Sequence, residues 1–220
     1  MGRRNTPSSS GRESVEINAD CQPDPTNPHT WMPLFGDPPG ASGPRVMYGC
    51  LRPQFRGATN SAAQFAAAKM TVGAPAGTPP WTLTAARAEV LLPPQADDRM
   101  SDARTLMETI DAELPANAKA LLAYLTFTFK TERLHVAWEE VRYFIKRHIV
   151  DAFEVATLLI QHAPHRAGSA NTPHVHALIA GPRRVTGLGL AEWVPQLAGD
   201  KAHALIRDAF LECHAAWPAG

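Results

Sequence analysis

The sequence predicts one α/β domain whose sheet of about five strands is flanked by helices. Three observations predict it. Short segments rich in β-branched and aromatic residues alternate along the chain with segments of helical spacing. The chain has 220 residues of which 45% are hydrophobic, enough for one core of ordinary size or two small ones. The Pro-rich opening stretch shows no apolar period, which leaves the alternating pattern to residues 45–220.

Residues 1–44 read as a disordered tail. They hold eight of the twenty prolines, mixed with Ser, Gly, Asn and Asp, and such a stretch buries too little surface to offset its ordering entropy. Trp31, Leu34 and Phe35 could still dock as a short anchor. Arg45 to Leu51 reads as the first strand, ended by Pro53 and Gly57. Ser61 to Met70 is strongly helical in composition, with Ser61 as its cap. A Gly/Pro loop from Gly73 to Pro80 leads to a strand at Arg87 to Leu92, stopped by Pro93 and Pro94. Ser101 and Asp102 then open a helix with Leu106, Met107, Ile110 and Leu114 on one face.

Leu121 to Phe129 is the strongest strand: Leu125, Phe127 and Phe129 alternate with Thr126 and Thr128. From Val136 to Ala152 the apolar residues follow helical spacing. Phe153 to Gln161 is an apolar run, followed by a polar loop from His162 to Pro173. His174 to Ala180 is a further strand, and Ala202 to Trp217 closes the chain as a helix.

Charge and cysteine usage narrow the class. Lys+Arg and Asp+Glu both number 21, so a generally basic nucleic-acid coat is excluded while a local basic groove is not. The three cysteines, Cys21, Cys50 and Cys213, lack both C-x-x-C spacing and the density of a secreted scaffold, and read as free thiols. No run of 18 apolar residues exists and Met1 to Gly11 has no secretory pattern, so the expected location is the cytoplasm.

Four of the nine histidines fall between positions 162 and 176. In H-V-H at the start of a strand, the side-chain period of two puts His174 and His176 on one face, a chelating pair. The preceding strand ends at His162, and the short connection suits an antiparallel hairpin that would bring His162 beside them. Three imidazoles facing one point leave coordination positions open for water or a phosphate oxygen. A surface histidine pair is the other reading of H-x-H. His165, in the same loop, could replace His162 or bind DNA.

The stretch IQHAPHRAGSANTPHVHALIAGPRRVTGLG, residues 160–189, resembles the signature of the MobA/MobL relaxases of mobilisable plasmids, a family of HUH endonucleases. The matching parts are His162, Asn171, His174 and His176, Arg183-Arg184, and Gly187-Leu188-Gly189. RVMYGCLRPQFRG, AEVLLPPQ, NAKALLAYLTFTF and LIRDAFLECHAAW extend the resemblance over residues 45–217. It implies a single relaxase-like domain with a mostly antiparallel central sheet. It implies one divalent metal, Mg²⁺ or Mn²⁺, held by His162, His174 and His176. The partner it implies is single-stranded DNA at a plasmid origin, together with other mobilisation proteins and no membrane.

The chain departs from the family at the nucleophile. Relaxases of this class carry a tyrosine on the early helix in a context like S-A-x-x-A-A-A-Y-R, where this chain has Ser61 to Lys69. Ala68 falls at the tyrosine and Lys69 at the arginine, and alanine cannot attack a phosphate. Of the three tyrosines, Tyr124 lies on the central strand and Tyr143 on a helix beside Phe144. That leaves Tyr48, on the first strand, as the candidate catalytic residue. Lys69, His165, Arg166, Arg183 and Arg184 are the candidate DNA contacts; the solvated face of a helix accounts equally well for Lys146 and Arg147. Two functions follow: a metal-dependent protein that binds and nicks single-stranded origin DNA, or a decayed relaxase fold acting as a non-catalytic DNA-binding or accessory protein. A metal-dependent enzyme unrelated to DNA is the third.

Overall fold

A computed structural model of the chain describes residues 14–38, 41, 43–130, 133–167, 171–199 and 201–218. The side chains of Arg166 and Ala167 are excepted. The expectations for Met1 to Gly11 lie outside the described residues.

In chain order the elements are β1 (Val15–Glu16), β2 (Leu34–Gly36), β3 (Arg45–Leu51), β4 (Gln54–Phe55), β5 (Ala58–Thr59), α1 (Ala62–Met70), β6 (Arg87–Leu91) and α2 (Ala103–Ala112). They continue with β7 (Leu122–Thr128), α3 (Leu134–Phe144), a π-helical segment (Ile145–Val150), α4 (Asp151–Phe153), β8 (Val155–His162), β9 (His174–Thr186), β10 (Gly189–Trp193) and α5 (Ala202–Ala216). Among the described residues one sheet runs in the order β1-β2-β3-β7-β9-β8-β6, with β10 paired to the far end of β9. All of its pairings are antiparallel. The molecule is thus a mixed α+β fold: a large antiparallel sheet flanked by helices.

The central strands β7, β8 and β9 are buried on both faces over most of their length, and the period of two sorts their residues. Val46, Tyr48, Leu125, Phe127, Leu159, Val175 and Ala177 face a core closed by Trp138, Val141 and Phe144 of α3 and by Ile206 and Phe210 of α5. Tyr124, Leu158, Ile160 and Leu178 face a second core, closed by Phe65 and Ala66 of α1 and by Leu106, Met107 and Ile110 of α2. The caps agree with the sequence: Ser61 Oγ accepts from the Gln64 amide, and Asp102 accepts from Thr105. The helix expected over Val136–Ala152 is interrupted by the π-helical segment, which keeps Ile145, Ile149 and Val150 all buried.

The expectation of a disordered tail is corrected for residues 15–36. β1 and β2 extend the sheet beyond β3, and Met32 and Leu34 are fully or almost fully buried. A Cβ on Gly49 of β3 would lie 2.6 Å from Met32 Sδ, so the missing side chain is what lets this segment lie flat on the strand. Polar anchors add to this: the Val46 amide donates to Asp37 Oδ2 at 3.0 Å, and the Arg56 guanidinium donates to the carbonyls of Ala19 and Cys21. Composition missed the segment because a few isolated apolar residues carry the packing. These edge strands, with β10, account for the excess over about five strands.

Candidate metal centre

Position 162 on β8 sits directly across from 174 on β9, and Ile160 across from His176, so the hairpin register places all three histidines on the face of the second core. On the other side of β9, His176 lies across from Thr126 of β7. The ring centroids are 5.1 Å apart for His162–His174, 4.5 Å for His162–His176 and 4.7 Å for His174–His176. One nitrogen from each ring falls within 4.8 Å of the others. The hairpin and the shared face expected from the sequence are therefore present.

The opposite nitrogen of every ring is held. His162 Nε2 donates to the Lys69 carbonyl at 2.7 Å, which turns Nδ1 toward the cluster. His174 Nδ1 donates to the Thr172 carbonyl at 2.8 Å. His176 Nδ1 has Tyr124 Oη and Thr126 Oγ each at 2.9 Å. Such outer partners fix the tautomer and aim the free lone pair, as metal-binding imidazoles require.

Spacing and charge agree with this purpose. His162 Nδ1 and His176 Nε2 are 3.2 Å apart, inside the roughly 3.0–3.4 Å expected of nitrogens about 2.1 Å from one ion. Burial holds all three rings in the neutral form: the pKa of His162 falls to about 4, that of His174 is lowered, and that of His176 lies well below the usual value. Neutral imidazole is the ligand form. The donor set fits a divalent ion.

Further residues close the site, only one of them expected. Lys69, the position matched to an arginine, is buried and its Nζ lies 5.3 Å from the Phe65 ring centre and 5.1 Å from that of Tyr124. Burial pushes its pKa down to about 7. Its amine meets His29 Nε2 at 2.9 Å. His29 sits on a short 3-10 turn at the mouth, its ring 6.5 Å from that of His176. Strand parity alone would have found Tyr124 and Thr126, which share the face of His176. No signal marks His29, whose position depends on how residues 15–36 pack.

Other expectations are corrected. Tyr48 lies on the opposite face of the sheet, buried, with its hydroxyl donating to the Leu197 carbonyl at 3.0 Å, so it cannot reach a phosphate at the histidines. Its parity on β3 decides this: it pairs with Leu125, not with Tyr124 or Thr126. Ala68 is half-buried, and the α1 side chain that reaches the cluster is its neighbour Lys69. Arg183 and Arg184 do not flank the histidines: beyond an irregularity after Ile179, Arg184 pairs with Val155, at the other end of β8 from His162. Along β8, at about 3.3 Å per residue, Val155 lies roughly 20 Å from His162. The Arg183 guanidinium donates to the carbonyls of Ala191, Leu190 and Glu113, and Arg184 pairs with Glu154. His165 is exposed on the turn after β8, outside the cluster. The Arg166 side chain lies outside the described residues.

No protein-family model matches the chain, and none of the curated proteins matches it. Among solved structures, a chain described under "Molecular Basis of Vancomycin Resistance Transfer in Staphylococcus aureus" is 16% identical, with a TM-score of 0.46 over 59% of this chain and 67% of that one. Among the described residues no helix is long and apolar enough to cross a membrane.

Proposed function

We propose that the chain is a relaxase-like protein of plasmid mobilisation, whose three-histidine centre binds one divalent metal and, through it, single-stranded DNA at a transfer origin. The observation that carries this reading is the convergence of His162, His174 and His176, each with its outer nitrogen held by a protein group. A metal bound there would polarise a phosphate oxygen and stabilise charge on it. Lys69 brings an amine to the same site, and His165 stands exposed on the adjoining turn. Cytoplasmic location, other mobilisation proteins as partners, and a relaxase-like domain over residues 45–220 belong to the same reading.

A specific observation favours the non-catalytic form of this function. No tyrosine hydroxyl is free at the mouth: Tyr124 is buried behind His176, Tyr48 is on the other face, and Tyr143 lies beside Trp217 on α3. The chain would then hold the DNA without forming a phosphotyrosyl adduct.

The test is binding of single-stranded origin DNA with Mn²⁺ and with a chelator, followed by denaturing electrophoresis for covalent adducts. Metal-dependent binding without an adduct is expected. Binding indifferent to the chelator and to loss of His174 and His176 would remove the metal from the account, and an adduct would restore the nicking form.

A further inference from the structure

We propose, resting on the metal-centre reading, that Lys69 and His29 are the anion-binding half of the centre and that it takes a terminal phosphate. That ligand is the phosphomonoester at the end of a nucleic-acid strand, which the centre prefers to an internal phosphodiester.

Charge is the first argument. Lys69 is 4% exposed, and among the described residues no carboxylate lies within ion-pair distance of it. Its amine has a neutral imidazole at 2.9 Å and two aromatic faces beneath it. The metal-ligand cluster is also free of acids, being made of His162, His174 and His176. A divalent ion bound there, beside the Lys69 amine, has no negative side chain to offset it. Buried charge left in that state is costly. A phosphomonoester brings more negative charge to this point than a diester does, with oxygens to share between the metal and the amine.

Access is the second argument. His162, His176, Lys69, Tyr124 and Thr126 are all buried, and among the described residues the groups of the site that reach solvent are His174 and His29. His29 stands in the mouth on a firmly held turn. Asn18 Nδ2 donates to its carbonyl at 2.9 Å, Asn60 Nδ2 donates to the Trp31 carbonyl at 3.1 Å, and Trp31 meets Phe65 edge-on at 6.0 Å. An internal phosphate must send chain out in two directions from such a site. A terminal phosphate needs a single exit.

The experiment titrates the full chain with inorganic phosphate, and then with an oligothymidylate of about eight nucleotides carrying a 5′-phosphate, a 3′-phosphate or neither. Each titration is run with and without Mn²⁺, on the wild type and on Lys69→Met, Lys69→Arg and His29→Phe. A terminal phosphate is expected to tighten binding roughly tenfold. That gain should vanish in Lys69→Met, persist largely in Lys69→Arg, and shrink in His29→Phe. The contact between His162 and residue 69 uses the backbone carbonyl, so Lys69→Met should bind Mn²⁺ at least as tightly as the wild type. Equal affinity for phosphorylated and unphosphorylated strands overturns the proposal, as does a preference that survives Lys69→Met. Failure of Mn²⁺ to bind the wild type would instead remove the metal reading. The metal-free phosphate titrations then decide the Lys69–His29 pair: binding lost in Lys69→Met supports it, and no binding overturns it.

Discussion

Tyr124 Oη lies 2.9 Å from His176 Nδ1, on the side of the imidazole turned away from His162 and His174. Thr126 Oγ holds the same nitrogen at the same distance. Two strand residues of one parity thus aim one ligand, from the sheet's central strand β7.

Removing these hydroxyls should weaken the metal without disturbing the fold. Tyr124→Phe combined with Thr126→Val leaves the His176 Nδ1–H without a partner. Mn²⁺ affinity should fall by about tenfold or more, read by calorimetry. An unchanged affinity in the double variant would mean that His176 is not oriented through this contact.

The metal-free protein should lose stability in acid. The His162 pKa falls from 6.5 to about 4 on folding because burial disfavours its charge. Below about pH 6.5 the unfolded chain therefore binds the proton that the folded one refuses. Stability declines as pH drops from about 6.5 toward 4, by about 3 kcal/mol for this residue, and levels off below. Urea melts across that range check it, and Mn²⁺ should shift the same curves upward at neutral pH more than at pH 5.

Residues 15–36 should behave as core. Met32 is fully buried against Gly49 and the second core, so Met32→Ala should cost about 3 kcal/mol. A melting temperature equal to that of the wild type would show that the segment does not pack on β3.

Arg183 should act on stability and not on DNA. Its guanidinium serves the carbonyls of Leu190, Ala191 and Glu113. Arg183→Ala should destabilise the protein by about 1–2 kcal/mol with single-stranded DNA affinity unchanged. A selective loss of DNA binding would place this end of β9 in the DNA interface.

Much of this was legible in the residues, for identifiable reasons. His174 and His176 sit on one strand, where parity fixes their common face, and the hairpin back to β8 is short enough to bring in His162. Ser61 and Asp102 announce their helices through local chemistry. Tyr48 was misplaced because its face follows from the pairing of β3 with β7, a long-range register. Arg183 and Arg184 follow the histidines closely in sequence, but an extended strand turns that nearness into distance. His29 was invisible because its place at the mouth depends on Met32, Leu34, Asn18 and Asn60 together, each ordinary by itself.

The most direct test of the central claim is calorimetric titration of metal-stripped protein with Mn²⁺, run beside the variant carrying His174→Ala and His176→Ala. The account predicts one ion per chain in the wild type and none in the variant, with the fold of both intact by circular dichroism. Binding of equal strength in the two proteins, or none in the wild type, would contradict it.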